Sequence, residues 1–162
     1  MKNQKVLFLT QAAMIAALYV VLTVIFQPFS FGEIQVRIAE ALTILPVFTP
    51  AAIPGLLVGC FIGNIIGGSI LPDILFGSFA TLLGALFTYL LRKQSKYLAP
   101  LPPIIANSLI IPLVLRYAYG ITLPLPITIV TVGIGEVISC GILGIILYIT
   151  LEKHRYKLFK TK

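Results

Sequence analysis

Apolar residues run almost unbroken along this chain, in stretches separated by short groups of glycines, prolines and polar side chains. The stretches lack the strict alternation of a membrane β-barrel, so their continuity predicts helices. A helix needs roughly 20 apolar residues to cross a bilayer. Predicted spans over residues 6–26, 35–47, 52–70, 74–91, 103–119 and 127–151 use nearly all of the 162 residues. The expected fold is an all-α membrane protein, a compact bundle of six transmembrane helices forming one domain over residues 1–162. The second span is short and has to begin near Gln35, which places Glu40 in its outer half. Pro46, Pro50 and Pro54 bracket a tight turn after it, because each removes a backbone donor, and Pro112 is expected to kink the fifth helix.

Small residues mark where helices touch. Gly55, Gly59, Gly63 and Gly67 recur every four positions and form one slowly turning stripe, the pattern that lets backbones approach closely in lipid. Ala12 with Ala16, and Ala13 with Ala17, give the first helix a smooth face for another helix, in this chain or in a partner. Lys2 and Lys5 ahead of the first apolar run resemble the start of a secretory signal. The run is too long for one, and Gln27-Pro28-Phe29-Ser30 offers no small-residue cleavage site, so it is read as a span.

Composition strengthens the membrane assignment. The chain is 59% hydrophobic and 10% charged, whereas soluble domains carry about 25% charged residues. The net charge of +7 then reports topology rather than nucleic-acid binding. Lys2 and Lys5, Arg92, Lys93 and Lys96, and Lys153, Arg155, Lys157, Lys160 and Lys162 form three basic clusters. Such clusters favour the cytoplasmic side, which predicts a multi-pass protein of the cell membrane with both termini and the loop near residue 95 inside. Cys60 and Cys140 fall within predicted spans and read as small hydrophobes rather than a disulfide. His154 lies in the basic tail and reads as solvated.

Several chemistries lack their motifs. No phosphate-binding Gly-x-x-x-x-Gly-Lys-Ser/Thr loop is present, so the chain cannot drive transport by ATP hydrolysis alone. No His-Glu-x-x-His or Cys/His cluster suggests a metal, and no Ser/His pair in the spans suggests a protease. The expectation is a non-enzyme without a cofactor.

The remaining charges are informative. With the basic clusters inside, Glu33, Arg37, Glu40, Asp73, Arg116 and Glu136 all fall in the outer half, and Glu152 alone among the acids lies with the inner clusters. Glu33, Arg37 and Glu40 stand three or four apart, which makes either a self-neutralising triplet or a binding rim. Glu136 sits about ten residues into the last span, roughly 15 Å deep. A carboxylate there needs a compensating Arg37, Arg116 or ligand donor, so it is either an internal ion pair or a site. Asn64 and Asn107 either tie helices together or face a ligand. With Phe29, Phe31, Phe76, Tyr117 and Tyr119 nearby, these groups suit a flat polar ligand rich in hydrogen-bond donors.

The run Gln35-Val36-Arg37-Ile38-Ala39-Glu40-Ala41-Leu42, the Gly63-Asn64 pair, the stretch from Asp73 to Thr81, Ala99 to Pro103 with Asn107, Gly135-Glu136 and the alanine pairs together resemble the QueT family. The resemblance covers nearly the whole chain. It implies a substrate-binding S component of an energy-coupling factor transporter, importing a queuosine precursor, a 7-deazaguanine such as preQ1. Such a subunit captures its ligand outside and delivers it by toppling in the membrane, driven by a transmembrane coupling protein and two ATPases. The resemblance places Ala12, Ala13, Ala16 and Ala17 at the coupling protein. It puts Glu136 or Glu40 on the guanine-like edge and Asp73 or Glu33 near the ligand amine, with Asn64, Arg37, Asn107 and Tyr117 around them. An S component for another small vitamin fits the same features, and so does a stand-alone proton-coupled carrier using Glu136 as a relay. A membrane-embedded enzyme lacks a catalytic constellation.

Overall fold

In a computed structural model, residues 2–30, 36–95 and 97–155 are described, and among them the chain is helical with no strand. Six principal helices follow one another: α1 (Lys2–Ile25), α2 (Ile38–Val47), α3 (Ala52–Ile66), α4 (Leu71–Leu91), α5 (Leu101–Tyr117) and α6 (Leu125–Glu152), with a short helical turn at Gln27–Ser30. By length and composition α1, α4 and α6 can each cross a membrane, while α2, α3 and α5 are shorter apolar helices. Prolines set three of the starts, since Pro72, Pro102 and Pro126 occupy the first turns of α4, α5 and α6, where a missing N–H is harmless. The chain leaves α3 through Gly67 and Gly68, and the positive φ of 79° at Gly68 makes the turn into α4.

The second helix differs most from an ordinary span. It is a 3-10 helix of 10 residues with Pro46 inside it, and at about 2 Å per residue it extends roughly 20 Å. Residues Ala39 to Val47 are all buried, and α1, α3, α4 and α6 pack around them. A helix apolar on every side belongs in a core. Glu40 is therefore carried into the middle of the bundle.

The glycine stripe has a partner within this chain. A Cβ at Gly55 would lie 2.7 Å from the Ala12 carbonyl oxygen, and one at Gly59 would lie 2.7 Å from Tyr19 Cβ and 3.1 Å from Ala16 Cα. The stripe thus seats α1 on α3, with Gly63 facing Thr23. Ala16 is buried there, whereas Ala13 and Ala17 on the neighbouring face are exposed. Gly84 plays the same part between α4 and α5, where a Cβ would meet Pro103 Cα at 2.7 Å.

Inside and outside are inverted relative to a water-soluble domain. Large apolar side chains such as Leu9, Met14, Leu75, Phe79, Leu90, Ile105 and Ile146 are exposed, while Arg37, Glu40, Asn64, Asp73, Asn107 and Glu136 are buried. An apolar exterior around a polar interior suits lipid as the surrounding solvent. One irregularity falls beside the interior: in α6 the backbone changes from α to π geometry immediately after Glu136, over Val137–Leu143. Single π segments of this kind concentrate at functional sites.

Candidate functional site

The polar interior is organised along one face of α4. Asp73, Gly77 and Thr81 recur every four residues and so share that face, spanning about 12 Å along the helix axis. Asp73, 1% exposed, stands in the first turn of α4, where the helix dipole favours a carboxylate. It pairs with the buried Arg37 guanidinium at 3.7 Å and accepts a hydrogen bond from the Tyr119 hydroxyl at 3.1 Å. Gly77 leaves room for the convergence: a Cβ on it would lie 3.2 Å from Asn64 Nδ2, 3.5 Å from Asp73 Oδ1 and 3.8 Å from Arg37 Nη1.

At the other end of the face lies a pair of glutamates. Glu40 is fully buried, and its Oε1 accepts hydrogen bonds from the Tyr19 hydroxyl and, at 3.1 Å, from the Thr81 hydroxyl. Its Oε2 has no hydrogen-bond partner among the described residues. Glu136, 2% exposed, accepts a bond from the Cys140 thiol at 3.2 Å. Thr43 reaches the same sulfur at 3.4 Å. The side-chain amide of Asn107 lies beside both carboxylates. Carboxylate oxygens of Glu40 and Glu136 and the Cys140 sulfur all lie within 4.8 Å of one another. Neither glutamate has an ion-pair partner among the described residues. That trio has the spacing to hold a metal ion. Two acceptor-rich carboxylates beside an amide equally suit an organic ligand that brings several N–H donors.

The structure thus gathers Glu40, Glu136 and Asn107 in one lobe, and Arg37, Asp73 and Asn64 in the next. Tyr117 is 79% exposed and Phe76 53%, so these rings face outward instead of stacking over the acids. They line an apolar crevice of about 610 Å³ between α4 and α5, with Phe79 and Leu113. Arg116 is exposed, and Glu136 therefore takes no charge partner from it. Glu33, Phe31, Gln35, Lys96, Lys157, Lys160 and Lys162 lie outside the described residues. Tyr19, Thr81, Thr43, Cys60 and Cys140 are contributors that sequence reasoning passed over. Thr81 alone carried a signal, since it stands eight residues after Asp73, two turns along the same face.

An apolar helical bundle enclosing paired carboxylates, an ion pair and two amides has the build of a membrane transport protein. The chain belongs to the QueT transporter family, whose profile matches residues 9–153. It is also similar to the queuosine precursor transporter QueT of Lactococcus lactis subsp. cremoris (strain MG1363), with 33% identity over 85 residues. That match covers 51% of this chain and spans 50% of the relative's length. No solved structure matches the chain.

Proposed function

We propose that this protein is the substrate-binding membrane subunit of an energy-coupling factor importer, and that it captures a 7-deazaguanine queuosine precursor such as preQ1. The observation that carries this reading is the buried Glu40–Glu136 pair, with donor-accepting atoms within 4.8 Å and one oxygen without a hydrogen-bond donor among the described residues. A deazaguanine presents a ring N–H and an adjacent exocyclic amine, which one carboxylate accepts in bidentate fashion. The ammonium of preQ1 supplies a charge for the second carboxylate. Asn107, beside both, donates to or accepts from the remaining ring edge. Asp73 is already paired with Arg37, so among the described residues Glu40 and Glu136 are the acids left for the ligand.

Glu40 and Glu136 are 0% and 2% exposed, so the bundle must open for the ligand to enter. The basic clusters favour the inside, which leaves this site to fill from the outside. Because the chain has no phosphate-binding loop, the energy comes from other subunits, a coupling membrane protein and two ATPases. Ala13 and Ala17 are the alanines free to meet that coupling protein, since Ala16, together with the Ala12 backbone, is seated on α3. The relative's role as a queuosine precursor transporter supports the choice of substrate.

The test is calorimetric titration of the purified chain with preQ1, preQ0, queuine, guanine and riboflavin, repeated on Glu136→Gln. The expected result is selective binding of a deazaguanine that weakens about 100-fold in the variant, the equivalent of losing two charge-assisted hydrogen bonds. Equal, weak binding of all five compounds would remove the deazaguanine assignment.

A further inference from the structure

Tyr19 belongs to none of the motifs that carry the functional reading. It lies in the apolar run of α1, yet its hydroxyl, 1% exposed with the rest of the side chain, donates across to Glu40 Oε1 on α2. The Thr81 hydroxyl reaches the same oxygen from α4 at 3.1 Å, but its single proton is also within range of the Gly77 carbonyl at 3.1 Å and the Cys60 sulfur at 3.4 Å. The described hydrogen bonds from Tyr19 and Thr81 therefore both fall on Oε1, none of the described geometry gives one to Oε2, and the Asn107 amide lies beside the carboxylate. A carboxylate bound at a single oxygen by a rigid, two-torsion side chain has its rotation fixed, and its second oxygen has a defined direction.

The mount of Tyr19 is equally constrained. Its Cβ lies where a Cβ on Gly59 would approach to 2.7 Å, so the ring is placed by a tight part of the α1–α3 contact. The backbone carbonyl of Tyr19 also accepts a hydrogen bond from Thr23 at 2.9 Å. We infer that Tyr19 is a positioning residue for substrate recognition: its hydroxyl holds Glu40 Oε1 so that Oε2 is presented to the donor edge of the ligand. The inference rests on the deazaguanine reading for its ligand, while the hydrogen bond itself is independent of it. It also makes α1 a two-sided element, with Tyr19 toward the site and Ala13 and Ala17 toward the exterior.

Tyr19→Phe keeps the ring and deletes the hydroxyl. Binding of 7-deazaguanine should weaken about tenfold, while binding of 7-deazahypoxanthine, which lacks the exocyclic amine, should change less, so that discrimination between the two narrows. In a Glu40→Gln background the same substitution should have little further effect, since both act through one carboxylate. A merely structural tyrosine would weaken both compounds alike, add to Glu40→Gln, and lower the unfolding temperature. Infrared spectroscopy of the ligand-free protein supplies the second readout: the carboxyl band removed by Glu40→Gln should shift in Tyr19→Phe. If the wild type binds neither compound, the deazaguanine reading fails, and the infrared shift still decides the hydrogen bond. An unshifted band, or unchanged discrimination in a wild type that binds, overturns the role given to Tyr19.

Discussion

At the N-terminal end of α4, the Asp73 carboxylate has a guanidinium at 3.7 Å and a phenol at 3.1 Å. Two turns further along the same face, the Glu40 and Glu136 carboxylates have a phenol, a hydroxyl and a thiol as donors, and no ion-pair partner among the described residues. Both ends are equally dry, so burial does not distinguish them. Charge compensation does. A buried acid beside a cation is charge-compensated, whereas two buried acids facing each other without an ion-pair partner are not. On the proposed function, the first lobe would hold α2 against α4 and the second would be completed by the ligand.

The most damaging change to that contrast is Glu40→Gln combined with Glu136→Gln. Affinity for preQ1 should fall beyond detection, more than about 100-fold, while the unfolding temperature in detergent holds or rises because two buried acids no longer face each other. Asp73→Asn should do the reverse. It removes the Asp73 charge from beside the Arg37 guanidinium, 5% exposed, and thermal unfolding should report a loss of about 3 kcal/mol. Gly59→Leu attacks the support behind the glutamate lobe, where a Cβ would already lie 2.7 Å from Tyr19 Cβ. Overpacking of this kind costs about 1–3 kcal/mol, and the displaced Tyr19 should weaken ligand binding as well. Ala13→Leu, on the exposed face of α1, should shift stability by no more than about 0.5 kcal/mol. Binding should be unchanged, and only uptake in cells that supply the coupling subunits should drop.

Much of the architecture was legible from residue pattern. The apolar runs located the helices, and the spacing of Gly55, Gly59 and Gly63 announced a close helix contact, which the structure places against α1. Spacing could not name that partner, because Ala12–Ala16 and Ala13–Ala17 are identical as patterns, and only the fold turns one pair inward. The acids were visible as unusual residues in apolar surroundings. Their grouping was not, because Glu40 and Glu136 meet across 96 positions, and no periodicity links a core 3-10 helix to a π segment. Tyr19 was hidden for a different reason. Tyrosine counts as apolar in any hydropathy pattern, so a hydroxyl aimed at a carboxylate leaves no trace there. Tyr117 misled in the opposite direction: the sequence groups it with the outer-half acids as an aromatic neighbour and the resemblance places it around the ligand, whereas the fold leaves it 79% exposed.

The contrast between the lobes is tested most directly by titrating preQ1 side by side into wild type, Glu136→Gln and Asp73→Asn, each checked for folding by its unfolding curve. Glu136→Gln should lose about 100-fold in affinity and Asp73→Asn less than about tenfold, despite Asp73→Asn being the less stable protein. The opposite ranking, with the ligand following Asp73 and indifferent to Glu136, would contradict it.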